Sequence, residues 1–522
     1  MKFSVPPNIL YMLLTFSLMD FIHNVQLMFF TTLLSTLNVM NNHTLKAHYG
    51  IEATETSLSV MDSIMTFAQS AGTLFSLFFL MPLAETKGRK YTVIYLRFLM
   101  TVISSLCQLT AALLQASELF MIGQFLNGCQ YAIKSFVTLI YVMECAPDKY
   151  RGFTSTALFF SDVLAQLFMY SVASPNVFGN ANTWFLLPLF VLISSVFILV
   201  LNLRLPESPK WLVCQNRIDE AGRAVTFYHG KDCDLKELMT SYIREKNLTT
   251  EDKISIKQLW ENDTMREALK IVLAVTAFLV VDSSSVQYTY NIFFYTEAGY
   301  TVQEAMNINF IMVIVLAPTK FIGTYIIDAL GRRPVMAIAG AMMYIKSWWI
   351  LITQFILYFN GPSILTKVLY LAADVITLSS GATGVMTLSV LFISELFPPA
   401  ARTAVAQCLF LSVMVTSVPI ISLFPIINSI FAPAFFMPYV VTQVLIGIYL
   451  YRHMPETKAR AVCDIIESLD KDVASRRESM LEEETPLLRN RARTVASKRN
   501  SVVLNTARTR ALTVDHSLIP RK

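Results

Sequence analysis

The chain is poor in charge. Asp, Glu, Lys and Arg together make up 15% of its 522 residues, against about a quarter in soluble domains. A soluble multidomain chain is the reading this scarcity excludes. A second absence is catalytic. There is no glycine-rich phosphate loop ending in Lys-Ser/Thr and no Cys/His spacing of a zinc site, so the sequence offers no nucleotide-hydrolysing motif and is not read as an enzyme. Cysteine is also sparse. Cys107, Cys129, Cys145, Cys214, Cys233, Cys408 and Cys463 all fall outside the predicted outer loops, which argues against a disulfide framework. No cleavable leader is expected, because the first apolar run is long enough to remain as a span. The formal net charge of +5 sits mostly in polar loops and the C-terminal tail. It speaks for orientation in a bilayer and not for nucleic-acid binding.

What is there is apolar: 54% of residues are hydrophobic. Many windows of about 20 residues are long enough to cross a bilayer as helices. Backbone groups in lipid must bond internally, so the runs are expected to be α-helical. Twelve spans are predicted, near 8–34, 56–83, 91–115, 119–143, 153–173, 184–203, 268–295, 305–327, 334–359, 364–394, 403–427 and 433–451. They divide into an N-terminal bundle of six (1–203), a central linker with short helices (204–265), a C-terminal bundle of six (266–452) and a largely disordered tail (453–522). The linker opens on Pro206-Glu207-Ser208-Pro209-Lys210-Trp211-Leu212.

Two loop patterns occur once in each half, in the same order. The first half carries Glu85-Thr86-Lys87-Gly88-Arg89-Lys90, then Glu144 and Arg151. The second carries Asp328-Ala329-Leu330-Gly331-Arg332-Arg333, then Glu395 and Arg402. This duplication predicts two pseudo-symmetric bundles, a common plan of membrane transporters. The basic residues of these loops fall on one side, which is read as cytosolic together with both termini and the linker. Asn42, in the sequon Asn42-His43-Thr44, is then outside and a candidate glycan site.

These motifs resemble those of the major facilitator superfamily. The acid-x-x-Gly-Arg-Arg/Lys loops resemble its hallmark loop. The Pro206 motif and Pro455-Glu456-Thr457-Lys458 resemble the motifs after spans six and twelve in its sugar-porter and organic-ion branch. The resemblance implies an all-α membrane protein of twelve transmembrane helices in two six-helix bundles. It also implies secondary transport by alternating access, either ion-coupled or facilitative. In the family the charged loops form a cytosolic gate, here Glu85, Gly88, Arg89, Lys90, Glu144, Arg151, Asp328, Gly331, Arg332, Arg333, Glu395 and Arg402. The family's hexose contacts are not matched: the span-seven stretch falls on Leu279 to Ser285, and Gln124 stands where span four usually has arginine.

Ionisable groups inside spans are costly and face a cavity or a partner. Lys134 and Asp162 lie at similar depth on antiparallel spans and are expected to pair, as a structural clamp or as a site that also meets solute or a proton. Asp20, His23 and Asn24 share one face of span one. They are either a proton relay or polar groups satisfied inside the bundle; the family's proton-coupled porters carry an aspartate near here. In span seven, Asp282, Gln287, Tyr288, Tyr290 and Asn291 are expected to line the solute cavity. Lys346 receives no role. No cofactor is expected beyond a coupling proton.

The favoured solute is small, polar or charged, and organic. A facilitative hexose carrier is the alternative within the class, and a non-transporting receptor or scaffold the alternative outside it. Glu483 followed by Leu487-Leu488 resembles the acidic dileucine signal read by clathrin adaptors; the other reading is a chance match in a polar tail. The membrane is expected to be plasma or endolysosomal.

Overall fold

The computed structural model describes residues 6–147, 151–230, 233–251, 256–318, 330–382, 388, 392–393, 396–397, 399–455 and 471. Asp328, Glu395, Glu483, Leu487 and Leu488 lie outside the described residues. All regular elements among the described residues are helical. Five are long and apolar enough to cross a membrane: Pro7–His48, Glu55–Thr86, Tyr91–Leu114, Arg332–Asn360 and Ala404–His453.

Span one differs from expectation. Helix Pro7–Leu27 pauses at Met28 and continues as Phe29–His48, through the stretch read as a polar loop. The reason is a buried stripe at helical spacing, Leu33, Leu37, Met40 and Thr44. Its polar residues have partners. Asn41 donates to Asp62 at 3.2 Å, and Thr44 donates to the Gln115 carbonyl at 2.9 Å. The rod of 42 residues is roughly 60 Å long, twice the ~30 Å hydrocarbon core, so its far end stands outside the bilayer. Asn42 is exposed on that end.

Span two starts at a capping box on Thr54 and Ser57, which satisfies two orphan amides. Spans two and four approach closely. A Cβ at Gly72 would sit 1.9 Å from the Phe125 carbonyl oxygen, and one at Gly128 would sit 1.8 Å from that of Gln69; only glycine lets the backbones meet. Spans two, three and four each contain a π-helical segment, Ser76–Leu80, Tyr91–Leu96 and Ile133–Thr138.

Span five is Arg151–Val172 and span six Leu186–Asn202. The linker forms helices Pro209–Cys214, Ile218–His229, Leu235–Glu251 and Ile256–Glu261. Its first two pack through Trp211, Leu212, Ala221, Ala224 and Val225. Span seven is broken into Asp263–Val280, Ser284–Thr289 and Asn291–Glu297. Spans eight, nine and ten contain Val302–Leu316, Arg332–Asn360 and Ile364–Ala382. Spans eleven and twelve run through Pro399–His453 and are divided only at Phe431, where the backbone leaves helical geometry.

The apolar cores show how the halves sit. At the end away from the basic loops one cluster joins them, with Phe29, Phe30, Leu33 and Trp184 from the first half and Tyr290, Phe294, Tyr370 and Phe424 from the second. Toward the basic loops there are two separate clusters. One gathers Ile9, Phe16, Ile133 and Tyr141, the other Val272, Met336, Phe392 and Val405. Among the described residues the halves are therefore fused at one end and carry separate cores at the other, where the Phe136 and Phe410 rings still meet edge to face at 4.4 Å.

Candidate functional site

The first half buries two ion pairs side by side. Arg97, in span three, donates to Asp20 at 2.9 Å and to Thr138 at 3.0 Å. The Arg97 and Asp20 side chains are 1% and 3% exposed. Lys134 donates to Asp162 at 2.8 Å and to the Asn24 carbonyl at 2.5 Å, while the Asn24 amide donates to Asp162. Here the side chains are 13% and 39% exposed, so the second pair is partly open and the first is sealed. His23 is buried beside both pairs, and its ring nitrogens make no hydrogen bond of ordinary geometry.

The second half has its own sealed pair. Lys346 of span nine donates at 2.5 Å both to Asp282 and to the Ser284 hydroxyl, and Gln443 of span twelve donates to Asp282 at 3.1 Å. Both charged side chains are 0% exposed. The acid sits where span seven breaks, between Val280 and Ser284. Three helices thus converge on it. Removing charges from water costs several kcal/mol each, repaid only by such close and complete bonding.

Beyond the break, Gln287 accepts from Thr377 at 3.0 Å and Tyr288 is 46% exposed. Asn291 and Tyr295 donate to Asp374 of span ten at 3.2 and 2.8 Å. Tyr290 sits at the joint between the halves. It is 2% exposed, its hydroxyl lies 3.4 Å from both Thr66 and the Ile421 carbonyl, and its ring packs on Phe30 and Phe424. It fills the joint between the halves and lines the pocket of about 320 Å³ between them.

At the basic-loop end of the first half, Arg89 reaches both oxygens of Glu144 at 3.2 Å and the Ala84 carbonyl at 2.9 Å. Ser208 also donates to Glu144. Glu207 accepts from the Lys90 backbone at 2.9 and 3.1 Å, and the Trp211 indole donates to the Glu85 carbonyl at 2.8 Å. The Pro206 motif is thereby docked onto the first hallmark loop. Glycine is required at its centre: Gly88 has φ 109°, and a Cβ there would lie 2.3 Å from a Glu207 oxygen. Burial pushes the Glu207 carboxyl above its ordinary range, against the opposing pull of the Ser208 and Lys90 amides. Burial likewise lowers Lys90, with Glu207 opposing.

The expected gate residues do not all meet. The Glu85 side chain is exposed and contributes only its carbonyl. Gly331 repeats the positive φ of Gly88, at 96°. Arg333 donates to the Tyr451 carbonyl at 2.7 Å and lies over its ring. Arg332 starts span nine. Arg151 opens span five and Arg402 lies in the first turn of the last long helix.

The sequence reading missed Arg97, Asp374 and Gln443 and gave Lys346 no role. An arginine and an aspartate inside predicted spans were the available signals for the first two. Gln443, uncharged, gave none.

The profile of the Sugar (and other) transporter family matches residues 13–468. Sugar transporter ERD6 of Arabidopsis thaliana is 24% identical over 420 residues, covering 80% of each chain. The arabinose-proton symporter of Bacillus subtilis (strain 168) is 24% identical over 384 residues, 71% of this chain and 79% of that one. The inward-open xylose transporter XylE from E. coli superposes with a TM-score of 0.68 at 16% identity, over 88% of this chain and 99% of its own. The duplicated loops, the paired bundles and these likenesses agree: this chain belongs to the sugar (and other) transporter family of the major facilitator fold, multi-pass membrane carriers and not enzymes.

Proposed function

We propose that the chain carries a small, hydrogen-bonding organic solute of the sugar class across its membrane by alternating access. The observation behind this reading is that the first half's Asp20 and Asp162 and span seven's Asp282 each have a cation from the same half. The preference for a charged solute rested on the charged character of the cavity. With those charges paired, the unbonded Gln287 amide nitrogen and the exposed Tyr288 are left to meet the solute, which suits hydroxyl groups. The relatives named as sugar carriers support the same class. A zwitterionic solute is the second reading, favoured by the exposed face of the Lys134–Asp162 pair.

On the proposed orientation the basic-loop end is cytosolic, and the separate cores there, bridged by the Phe136–Phe410 ring pair, fit a partly closed inward-facing state. The Arg89–Glu144–Ser208 cluster is intact within one half, which fits a role as one cheek of the cytosolic gate. The exposed Asn42 is the proposed glycan acceptor, and residues 483–488 a proposed adaptor signal that sends the carrier to endolysosomal membranes or back from the plasma membrane.

The test is uptake by purified carrier in liposomes, screened over pentoses, hexoses, polyols and zwitterionic metabolites. Saturable uptake of a neutral polyhydroxy solute is expected. Uptake confined to zwitterions, and abolished in Asp162→Asn, would select the second reading. Absence of flux for every solute would select a receptor.

A further inference from the structure

The two halves place a groove between corresponding spans, and they fill it differently. In the first half spans one, three and six leave about 20 Å³ between Ile94, Phe98, Ile198, Leu199 and their neighbours. In the second half spans seven, nine and twelve leave about 900 Å³. The duplicated loops give the register for the comparison. The sixth and tenth residues after the loop glycine are Ile94 and Phe98 in the first half, and Ala337 and Ala341 in the second. Two bulky side chains thus give way to methyl groups, and both alanines are exposed on the outside of the bundle. The thirteenth position runs the other way, Thr101 against Tyr344, and Tyr344 walls the inner part of the groove. Gly340 and Gly447 let Phe278 lie against spans nine and twelve: a Cβ would sit 3.3 Å from its ring at the first and 3.6 Å at the second. That ring is the floor.

The groove is charged at one end and apolar along most of its length. Arg333 and Arg452 stand at its basic-loop mouth. Arg333 is held there by its bond to the Tyr451 carbonyl at 2.7 Å and by the Tyr451 ring, and Arg452 is exposed. Among the described residues no acid lines the groove. Its inner end is Gln443, which donates to Asp282 of the sealed pair. Gln443 lies nine positions before Arg452, roughly 13 Å along a helix. One leaflet of the hydrocarbon core is about 15 Å deep.

We propose that this groove binds an anionic phospholipid, with its phosphate between Arg333 and Arg452 and one acyl chain laid over Phe278, Gly340 and Gly447. The cationic mouth matches a phosphate, which arginine holds through its planar fork. The depth matches one leaflet. The open side faces the bilayer, so a chain enters sideways without leaving lipid. On the proposed orientation the mouth lies in the cytosolic leaflet, whose surface is anionic. The seated chain covers Gln443, and with it the side of the Lys346–Asp282 pair that faces the groove. The site belongs to one half, because Ile94 and Phe98 occupy the corresponding space in the other. It goes beyond the carrier reading and does not depend on the solute.

The test uses the full chain in mixed micelles. The probe is phosphatidylglycerol with a photoactivatable diazirine on one chain, and the control is phosphatidylcholine with the same tagged chain. After illumination, adducts are mapped by peptide mass spectrometry. Adducts within 333–344 and 443–454 are expected to be at least about fivefold more abundant with the anionic lipid. Arg452→Gln is expected to remove most of that excess, and Arg452→Lys to retain it. Ala337→Ile/Ala341→Phe copies the filling of the first half; adducts of both lipids in the groove should fall, while those elsewhere on the chain stay. Elution as a single folded species qualifies each variant, and should the filled variant not fold, Arg452→Gln decides alone. Equal adducts from the two lipids, which would mean annular lipid only, overturn the proposal. So does an excess unmoved by Arg452→Gln, or groove adducts unchanged in a folded, filled variant.

Discussion

Each half buries a lysine–aspartate pair, and the two are buried differently. Lys134–Asp162 is bonded across spans four and five with 13% and 39% of its side chains exposed. Lys346–Asp282 is sealed at 0% on both sides, and holds spans seven, nine and twelve together. The same chemistry thus serves two ends. An open pair remains available to a visitor in the cavity. A closed pair can only position the helices that close it, and here it fixes the inner segment of span seven while the outer segments stay separate pieces.

The sharpest way to break the comparison is to remove one lysine at a time. Lys346→Met leaves a carboxylate in the sealed site, at a cost of about 3–5 kcal/mol. Little folded protein is expected by size-exclusion chromatography, and the double variant Asp282→Asn/Lys346→Met should recover much of it. Lys134→Met exposes its orphaned acid to the cavity instead. That protein should fold and lose uptake about tenfold, equivalent to ~1.4 kcal/mol in the transition state. Equal loss of folded material in both variants would erase the distinction.

The loops offer a gentler contrast. Gly88→Ala meets a Glu207 oxygen and holds an unfavourable φ, costing about 1–3 kcal/mol. The linker should undock and become more sensitive to limited proteolysis, while uptake falls less than in Lys134→Met. The smallest effect is expected from Glu207→Gln. Burial raises the Glu207 carboxyl above 4.5, so the folded state binds its proton more tightly than the unfolded chain. Its contribution is fully present below pH 4.5 and is lost as pH rises through the raised value. Melting curves should show a pH dependence in that window for the parent that is reduced in Glu207→Gln.

Much of this architecture was legible from patterns that physics makes unavoidable. Long apolar runs must be helices in lipid, and Gly88 and Gly331 mark the same left-handed turn in each half. The depth argument also put Lys134 level with Asp162, and the two are bonded. What stayed hidden depended on rotation about helix axes. Nothing in the string of letters says that Arg97 turns toward Asp20, or that Tyr290 packs on Phe30 of the other half. The continuation of span one through Asn38, Asn41 and Asn42 was equally obscure. Its polarity is satisfied by Asp62, Gln115 and Ser117, partners distant in sequence.

The three π segments of the first half bear on how its helices are phased. In such a turn each backbone bond reaches one residue further than in an α-helix, so the chain carries a spare residue between fixed ends. Deleting a single residue from Ile133–Thr138 would let span four close up as an uninterrupted α-helix. Its two ends would keep nearly the same phase, whereas the same deletion from a regular α-helical stretch would twist them by about 100° relative to each other. Single-residue deletion, usually ruinous within a membrane span, is here absorbed without changing which side chains share a face.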